Sequence, residues 1–210
     1  MGAFLTHDEI IEKIGRLFGS DYDIICVKEI MYDLRLGNEV YITPDKNEKI
    51  IKNKETIQIS PGTYALLLTK EKLNLPDNIF GLITIRFAYK KKGLINISGF
   101  HVDPGFKGPL IFSVYNLGPS TICLRSGDEV FSILFYELGS SVKLTKDRRI
   151  DKIPLDMLEP LIDRTVPSLL ELNRTVEEHR NKIKQLEQLL IALIGSFIVS
   201  LLILILGKII

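Results

Sequence analysis

From Leu189 to Leu206 the chain reads LLIALIGSFIVSLLILIL, eighteen residues without a charge. At about 1.5 Å per residue, such a helix is roughly 27 Å long, close to the hydrocarbon thickness of a bilayer. Fourteen of the eighteen are Leu, Ile, Val or Phe. Each favours insertion by roughly 0.3–0.6 kcal/mol, about 4–8 kcal/mol together. Ala192, Gly195, Ser196 and Ser200 oppose this weakly. Buried core helices are seldom apolar on every side at this length, so the segment predicts one transmembrane helix over 189–207. Lys208 follows it, suited to snorkel to the far headgroups. Arg180, Lys182 and Lys184 precede it, which under the positive-inside rule places the N-terminal domain in the cytoplasm. The opening MGAFLTHDEIIEKIGRLF has no apolar core preceded by basic residues, so no signal peptide is expected.

The helix leaves a head of ordinary domain size. Thr6 and Glu9 have capping-box spacing, ahead of Ile10, Ile11, Ile14 and Leu17 at helical intervals. From Tyr32 to Leu138 the pattern changes to short runs rich in Ile, Val, Leu, Phe and Tyr: EVYIT, TIQIS, TYALLLT, IFGLITIR, LINIS, PLIFSVYN and EVFSILFYEL. Turn signals at Ser60-Pro61-Gly62, Leu75-Pro76-Asp77-Asn78, Asp103-Pro104-Gly105 and Ser126-Gly127-Asp128 separate them. Many short strands at this spacing predict a mainly β domain: a sandwich, jelly roll or barrel. Residues 139–165 are poorly periodic and read as a packed extension or linker. Over 166–188, after Pro167, Leu169, Val176, Ile183 and Leu190 take heptad a-positions, with Leu172, His179 and Leu186 at d. That pattern fits a short coiled coil and equally an amphipathic helix lying on its own domain.

Composition excludes several chemistries. With 27 basic and 26 acidic residues, the net charge of +1 gives no electrostatic basis for nucleic acid as a partner. Cys26 and Cys123 lack any CxxC spacing, and His7, His101 and His179 are scattered, so neither a disulfide framework nor a metal site is expected.

Four stretches, in order over residues 5–138, resemble the dCTP deaminase/dUTPase superfamily. Leu5-Thr6-His7-Asp8-Glu9-Ile10-Ile11 is similar to the opening helix of dCTP deaminases. Tyr32-Asp33-Leu34-Arg35-Leu36-Gly37 resembles their S-V-D-L-R-L-G segment. Phe100–Gly108 resembles the I-D-P-G-(aromatic)-x-G turn. Val114-Tyr115-Asn116-Leu117-Gly118, then Leu124-Arg125-Ser126-Gly127-Asp128, resemble Y-N-x-G and L-R-x-G-(D/M). The resemblance implies a distorted jelly-roll (β-clip) head over 1–138 and a homotrimer with sites between subunits. It also implies a deoxynucleoside triphosphate ligand, with magnesium entering only through the phosphates. Arg86, Lys91, Asp103, Tyr115 and Asn116 are the nucleotide-binding candidates, and Asp103 is the catalytic candidate if the chain is active. By its residue type alone Asp103 fits a turn-capping role equally well, and Asp33 fits either a local cap or a subunit-structure role.

Two departures weigh against activity. The phosphate-binding G-R-S-S-x-(A/G)-R segment here reads Ile85-Arg86-Phe87-Ala88-Tyr89-Lys90-Lys91, without the hydroxyl pair. Lys90, Lys91 and Lys92 fit either a phosphate-attracting run or a solvated loop. The deaminase's proton-transferring Glu, in L-E-F-Y-N, is replaced by Ser113. A serine hydroxyl does not titrate near neutrality and cannot shuttle that proton unaided. A catalytically degenerate, membrane-anchored binder of a deoxynucleotide or protein partner therefore comes first. An active deaminase or hydrolase is the alternative, and a structural trimer with its pocket filled by Phe87 and Phe100 is the third reading. Deleting residues 187–210 should yield a protein that stays in the supernatant after a salt wash; sedimentation with membranes would refute the anchor.

Overall fold

The computed structural model describes residues 2–43, 49–52, 54–143, 149–162 and 169–206. They belong to two units, Met1–Val166 and Pro167–Ile210. The first begins with strand β1 (Ala3–Phe4) and helix α1 (His7–Leu17). At the helix entrance the Glu9 carboxylate accepts from the Thr6 N–H at 2.8 Å and from its hydroxyl at 2.9 Å, the capping contact that the spacing predicts. Ile10, Ile14 and Leu17 form its buried stripe.

The remaining strands are β2 (Phe18–Ser20), β3 (Tyr32–Ile42), β4 (Lys49–Ile50), β5 (Thr56–Ile59), β6 (Tyr64–Asn74) and β7 (Ile79–Ile85), followed by β8 (Leu94–Asn96), β9 (His101–Val102), β10 (Lys107–Asn116), β11 (Ile122–Arg125) and β12 (Glu129–Glu137). A one-turn helix α2 (Phe87–Lys90) separates β7 from β8. Antiparallel pairing sets the order β8-β10-β6-β3-β12-β7-β9, with β1 on β12, β2 on β6 and β4 on β3; β5 and β11 make a separate ribbon. Each predicted run lies in a strand, and the first unit is a curled, mainly β fold.

Strand β3 joins the two halves of the sheet. Its first residues, Tyr32 to Arg35, pair with β12, and Leu36 to Ile42 pair with β6 across a register shift. At the changeover a Cβ on Gly37 would lie 2.8 Å from the Thr69 carbonyl oxygen and 2.9 Å from that of Leu68. Only glycine lets the strands pass this closely. Strand β6 is apolar on both faces, which explains its unbroken run. Ala65 and Leu67 enter the main core, where Phe112 stacks on Phe131 with centroids 3.8 Å apart. Leu66 and Leu68 face a second, smaller cluster with Tyr41, Ile153 and Leu158.

Ile153 and Leu158 come from beyond the β domain. Of residues 139–165, read above as extension or linker, the portion 149–162 packs on the sheet and includes helix α3 (Leu155–Ile162). The Ile150 N–H donates to the Lys107 carbonyl at 3.0 Å, and the Ile153 N–H donates to Glu39 Oε1 at 2.6 Å. Gly108, at φ +110°, makes room: a Cβ there would sit 1.7 Å from the Ile150 carbonyl oxygen.

The second unit is one helix, α4 (Leu169–Leu206), 38 residues without a break where heptad stem and apolar segment were expected to meet. Within it Leu172–Leu201 is long and apolar enough to cross a membrane. The charged residues of this stretch, Arg174 to Glu187, all precede the uncharged run that starts at Gln188, and residue 207 of the expected 189–207 lies outside the described residues. Leu172, Val176, Ile183, Leu186 and Leu190 are all exposed. Pro167 and Lys208 lie outside the described residues.

Gly15 and Gly37 offer a paired test. Gly15, in α1, has open space around its Cβ position, so Gly15→Ala should raise stability by about 0.5–1 kcal/mol. Gly37→Ala must push β3 and β6 apart and should cost about 1–3 kcal/mol. Denaturant midpoints of the two variants would show opposite shifts.

Candidate functional site

The sequence candidates do not fall into one cluster. Arg86, at the entrance to α2, points back into the sheet. Its Nη1 donates to Glu129 Oε2 at 2.6 Å and its Nε lies 3.2 Å from Asp33 Oδ2. Asp33 Oδ1 accepts from the Ser132 hydroxyl at 2.6 Å, and Lys28 Nζ stands 3.6 Å from Glu129 Oε1. Burial pushes the Asp33 carboxyl above the ordinary range, against the Ser132 hydrogen bond and the Arg86 charge. Asp33 is thus an interior anchor, and Arg86 is the strut that ties α2 to β3 and β12.

A second ion pair lies two residues along β3. Arg35 Nε approaches Glu71 Oε1 at 2.6 Å, the Arg35 N–H donates to Glu71 Oε2 at 2.8 Å, and the Tyr32 hydroxyl donates to Oε1 at 3.4 Å. Glu71 is wholly buried, and burial raises its carboxyl despite Arg35. No group of three or more His, Cys, Asp or Glu placed to hold a metal occurs among the described residues.

Lys91 belongs to a cationic cleft. Lys90, Lys91, Lys92 and Gly93 face Gly118 to Ile122 across a cavity of about 450 Å³ whose lining holds no carboxylate among the described residues. Two glycines bring its walls together. A Cβ on Gly93, at φ +98°, would lie 2.2 Å from the Gly118 nitrogen. Buried Asn116 holds the second wall: Nδ2 donates to the carbonyls of Ile59 at 2.8 Å and Ser120 at 2.9 Å, while Oδ1 accepts from the Gly118 N–H at 2.9 Å. Asn116 therefore positions the cleft rather than lining it. Lys90 Nζ donates to Thr84 Oγ1 at 2.5 Å, and Lys92 Nζ stands 5.5 Å above the Tyr89 ring centroid.

Tyr115 is half-buried on β10, opposite Tyr64 and Ile95. Asp103 lies in a half-buried turn after β9, with His101 Nε2 at 3.5 Å. Phe87 and Phe100 are 76% and 70% exposed, so neither ring fills an interior pocket of this chain. Ser113 is on the β10 face away from the main core, between Leu66 on β6 and Ile97, whose N–H donates to the Ser113 carbonyl at 2.8 Å.

Comparison with known proteins agrees with this frame. A family model described as dCTP deaminase-like matches residues 4–138. The dCTP deaminase of Thermococcus kodakarensis is 36% identical over 114 residues, 53% of this chain and 70% of that protein. The dCTP deaminase of Pyrococcus furiosus is 37% identical over 108 residues, 51% of this chain and 67% of that protein. Among solved structures, the 2'-deoxycytidine 5'-triphosphate deaminase from Agrobacterium tumefaciens has the same fold, with a TM-score of 0.56 at 17% identity over 65% of this chain. The chain spans about half of that protein, 48% of its length. The chain belongs to the dCTP deaminase-like family.

Residue order did not show the Arg86–Asp33–Glu129 strut, because its members are distant in sequence. The Asn116 tie was visible in principle, since Asn two residues before Gly at a strand end marks an Asx turn. Arg86→Ala should leave Asp33 and Glu129 to Lys28 alone. We expect a loss of about 1–3 kcal/mol near neutral pH, less than for a fully buried pair because Arg86 is about one-third exposed. The loss should shrink as pH falls through the raised Asp33 value, where a protonated carboxyl no longer needs the guanidinium. Thermal melts of both proteins from pH 7 to pH 4.5 check this.

Proposed function

We propose that this chain is a membrane-anchored member of the dCTP deaminase-like family that has lost deamination, its head binding a deoxynucleotide or a protein partner as a sensor, effector or scaffold. The observation that carries the reading is Ser113. By the resemblance of Phe112–Asn116 to L-E-F-Y-N it stands where the family has its proton-transferring Glu, and the flanking Leu66 and Ile97 provide no titratable substitute. The Lys90–Lys92 cleft supports a phosphate-bearing ligand, since three lysines and hydroxyl-bearing Ser120 and Thr121 line it without a carboxylate among the described residues. Magnesium would enter only with the phosphates. Helix α4 supports a single-pass anchor with the head in the cytoplasm.

Purified protein with magnesium and dCTP should release no ammonia above background. dCTP should still raise the melting temperature, as a ligand binding only the folded state does. The triple variant Lys90→Ala/Lys91→Ala/Lys92→Ala should lose that shift. The competing reading, an active deoxynucleoside triphosphate hydrolase or deaminase, is favoured by Asp103 in its turn beside His101. Turnover of dCTP or dUTP that disappears in Asp103→Ala would establish it.

The same reading makes the protein a homotrimer, with the a and d residues of α4 as a parallel seam. Val176 and Ile183 at a with Leu172 and Leu186 at d favour two strands in isolation, so the head should impose the stoichiometry. His179 at d makes the seam weaker at acid pH, where three imidazolium groups would repel. Light-scattering mass of residues 1–186 at neutral pH should be three times the chain mass, and a monomer at micromolar concentration would remove the trimer.

A further inference from the structure

The cleft lysines have exposed apolar side chains beside them. In α2, Tyr89 takes the inward place and packs against the main core, whereas Phe87 is turned out to solvent. The turn is held that way from both ends. Arg86 before it is fixed by Asp33 and Glu129, and Gly93 after it is packed on Gly118. Lys90 and Lys91 follow Phe87 by three and four positions, so the three share one side of the turn. Leu117 is also exposed, and its N–H donates to the Gly93 carbonyl at 2.9 Å, next to Lys92. Of the carboxylates near Tyr89, Glu129 is engaged by Arg86 and Asp128 accepts from the Arg125 N–H. The positive charge of the lysines is therefore not cancelled at this surface.

Lysines flanked by an exposed phenyl ring and a Leu have both halves of a peripheral membrane contact. Ammonium groups meet anionic headgroups, and apolar side chains enter the headgroup–acyl boundary. A free phosphate would use only the first half and leave Phe87 in water. So small a patch binds weakly alone. A head tethered through α4 stays beside the bilayer, and the tether's effective concentration makes such a contact sufficient.

We propose that Phe87, Lys90–Lys92 and Leu117 form a surface that rests on an anionic phospholipid leaflet. Its strength rests on the anchor proposed above, and its test contains no nucleotide. The chain has no tryptophan, so Phe87→Trp puts a single reporter into the full chain. The protein is reconstituted in vesicles of acyl-brominated phosphatidylcholine, with or without about 30% phosphatidylserine. Quenching of the reporter should be about threefold greater with phosphatidylserine, and the difference should vanish in about 0.5 M salt. Lys90→Gln/Lys91→Gln/Lys92→Gln in the same background should also remove the difference. Phe4 pairs with Tyr136, at the other end of β12 from Val130, whose carbonyl accepts from the Arg86 N–H. Phe4→Trp should therefore show no lipid dependence. Equal quenching in both lipids would overturn the surface, and so would the same lipid dependence at Phe4→Trp. Blue-shifted emission without quenching would place the ring against protein, such as a second copy, and would overturn it too. Flotation reads the anchor separately. A chain that floats only with phosphatidylserine retains this surface and loses the anchor, and a chain that floats with neither lipid loses both.

Discussion

The Arg35–Glu71 pair is the charge contact on which the sheet turns: the Glu71 side chain is wholly buried, and Arg35 Nε lies 2.6 Å from its Oε1. Removing Arg35 would leave a buried carboxylate without its cation, at a cost of about 3–5 kcal/mol. Its position explains its weight in the fold. Arg35 is the last residue of β3 that pairs with β12, and Glu71 lies on β6, the strand to which β3 transfers next. The pair thus fastens the changeover that Gly37 makes sterically feasible. Two residues earlier, Asp33 does the corresponding work toward β12 and, through Arg86, toward α2. Of the lysines that line the cleft, Lys90 ends α2 and Lys91 and Lys92 follow it, so the cleft's place on the surface is inherited from the charge buried at Asp33 in β3.

Regular elements were legible wherever burial imposed a period. Helix α1 was readable from its cap and stripe, and the seven apolar runs from β-branched and aromatic content between turn residues. Strands β1, β2, β4, β9 and β11 were not marked out, being two to four residues long, too short to show alternation. The lysine run read as a loop, yet Phe87–Lys90 is a helical turn whose Gly93 then takes the left-handed conformation that ends it. Residues 149–162 were ambiguous because their apolar positions obey no single period. Ile153 arrives on an extended stretch and Leu158 on a helix, and they meet only because one sheet face lies beneath both.

The candidate site was legible in residue type more than in role. Arg86 was singled out as a phosphate ligand, and its guanidinium is engaged by two carboxylates. Asn116 was singled out as a nucleotide contact, and its amide is engaged by three backbone groups. In both cases the signal was a conspicuous polar residue at a motif position, which cannot distinguish holding a ligand from holding the wall beside it. Lys91 differs, since an ammonium on an exposed loop beside two glycine-packed walls has its charge open to solvent.

That distinction bears on what the family motifs measure. Asp33, Arg35 and Gly37 in the Tyr32–Gly37 stretch secure β3. Gly105 at φ +76° turns the Phe100–Gly108 stretch, and Gly108 accommodates Ile150. Asn116 and Gly118 fix the Val114–Gly118 stretch, while Ser126 donates to Asn38 at 2.7 Å and Asp128 accepts from the Arg125 N–H at 2.9 Å in the Leu124–Asp128 stretch. Each is required by backbone geometry or buried charge, whatever the head does chemically. Phe87, Ala88 and Ser113 stand where the family pattern, by resemblance, has chemical groups, and they depart from it, whereas Asp103 keeps it. Selection to keep this barrel folded would preserve every motif even after catalysis had gone, so identity of 36% to a dCTP deaminase is compatible with a silent site. The chemistry has to be read at Ser113 itself, on the β10 face turned away from the main core.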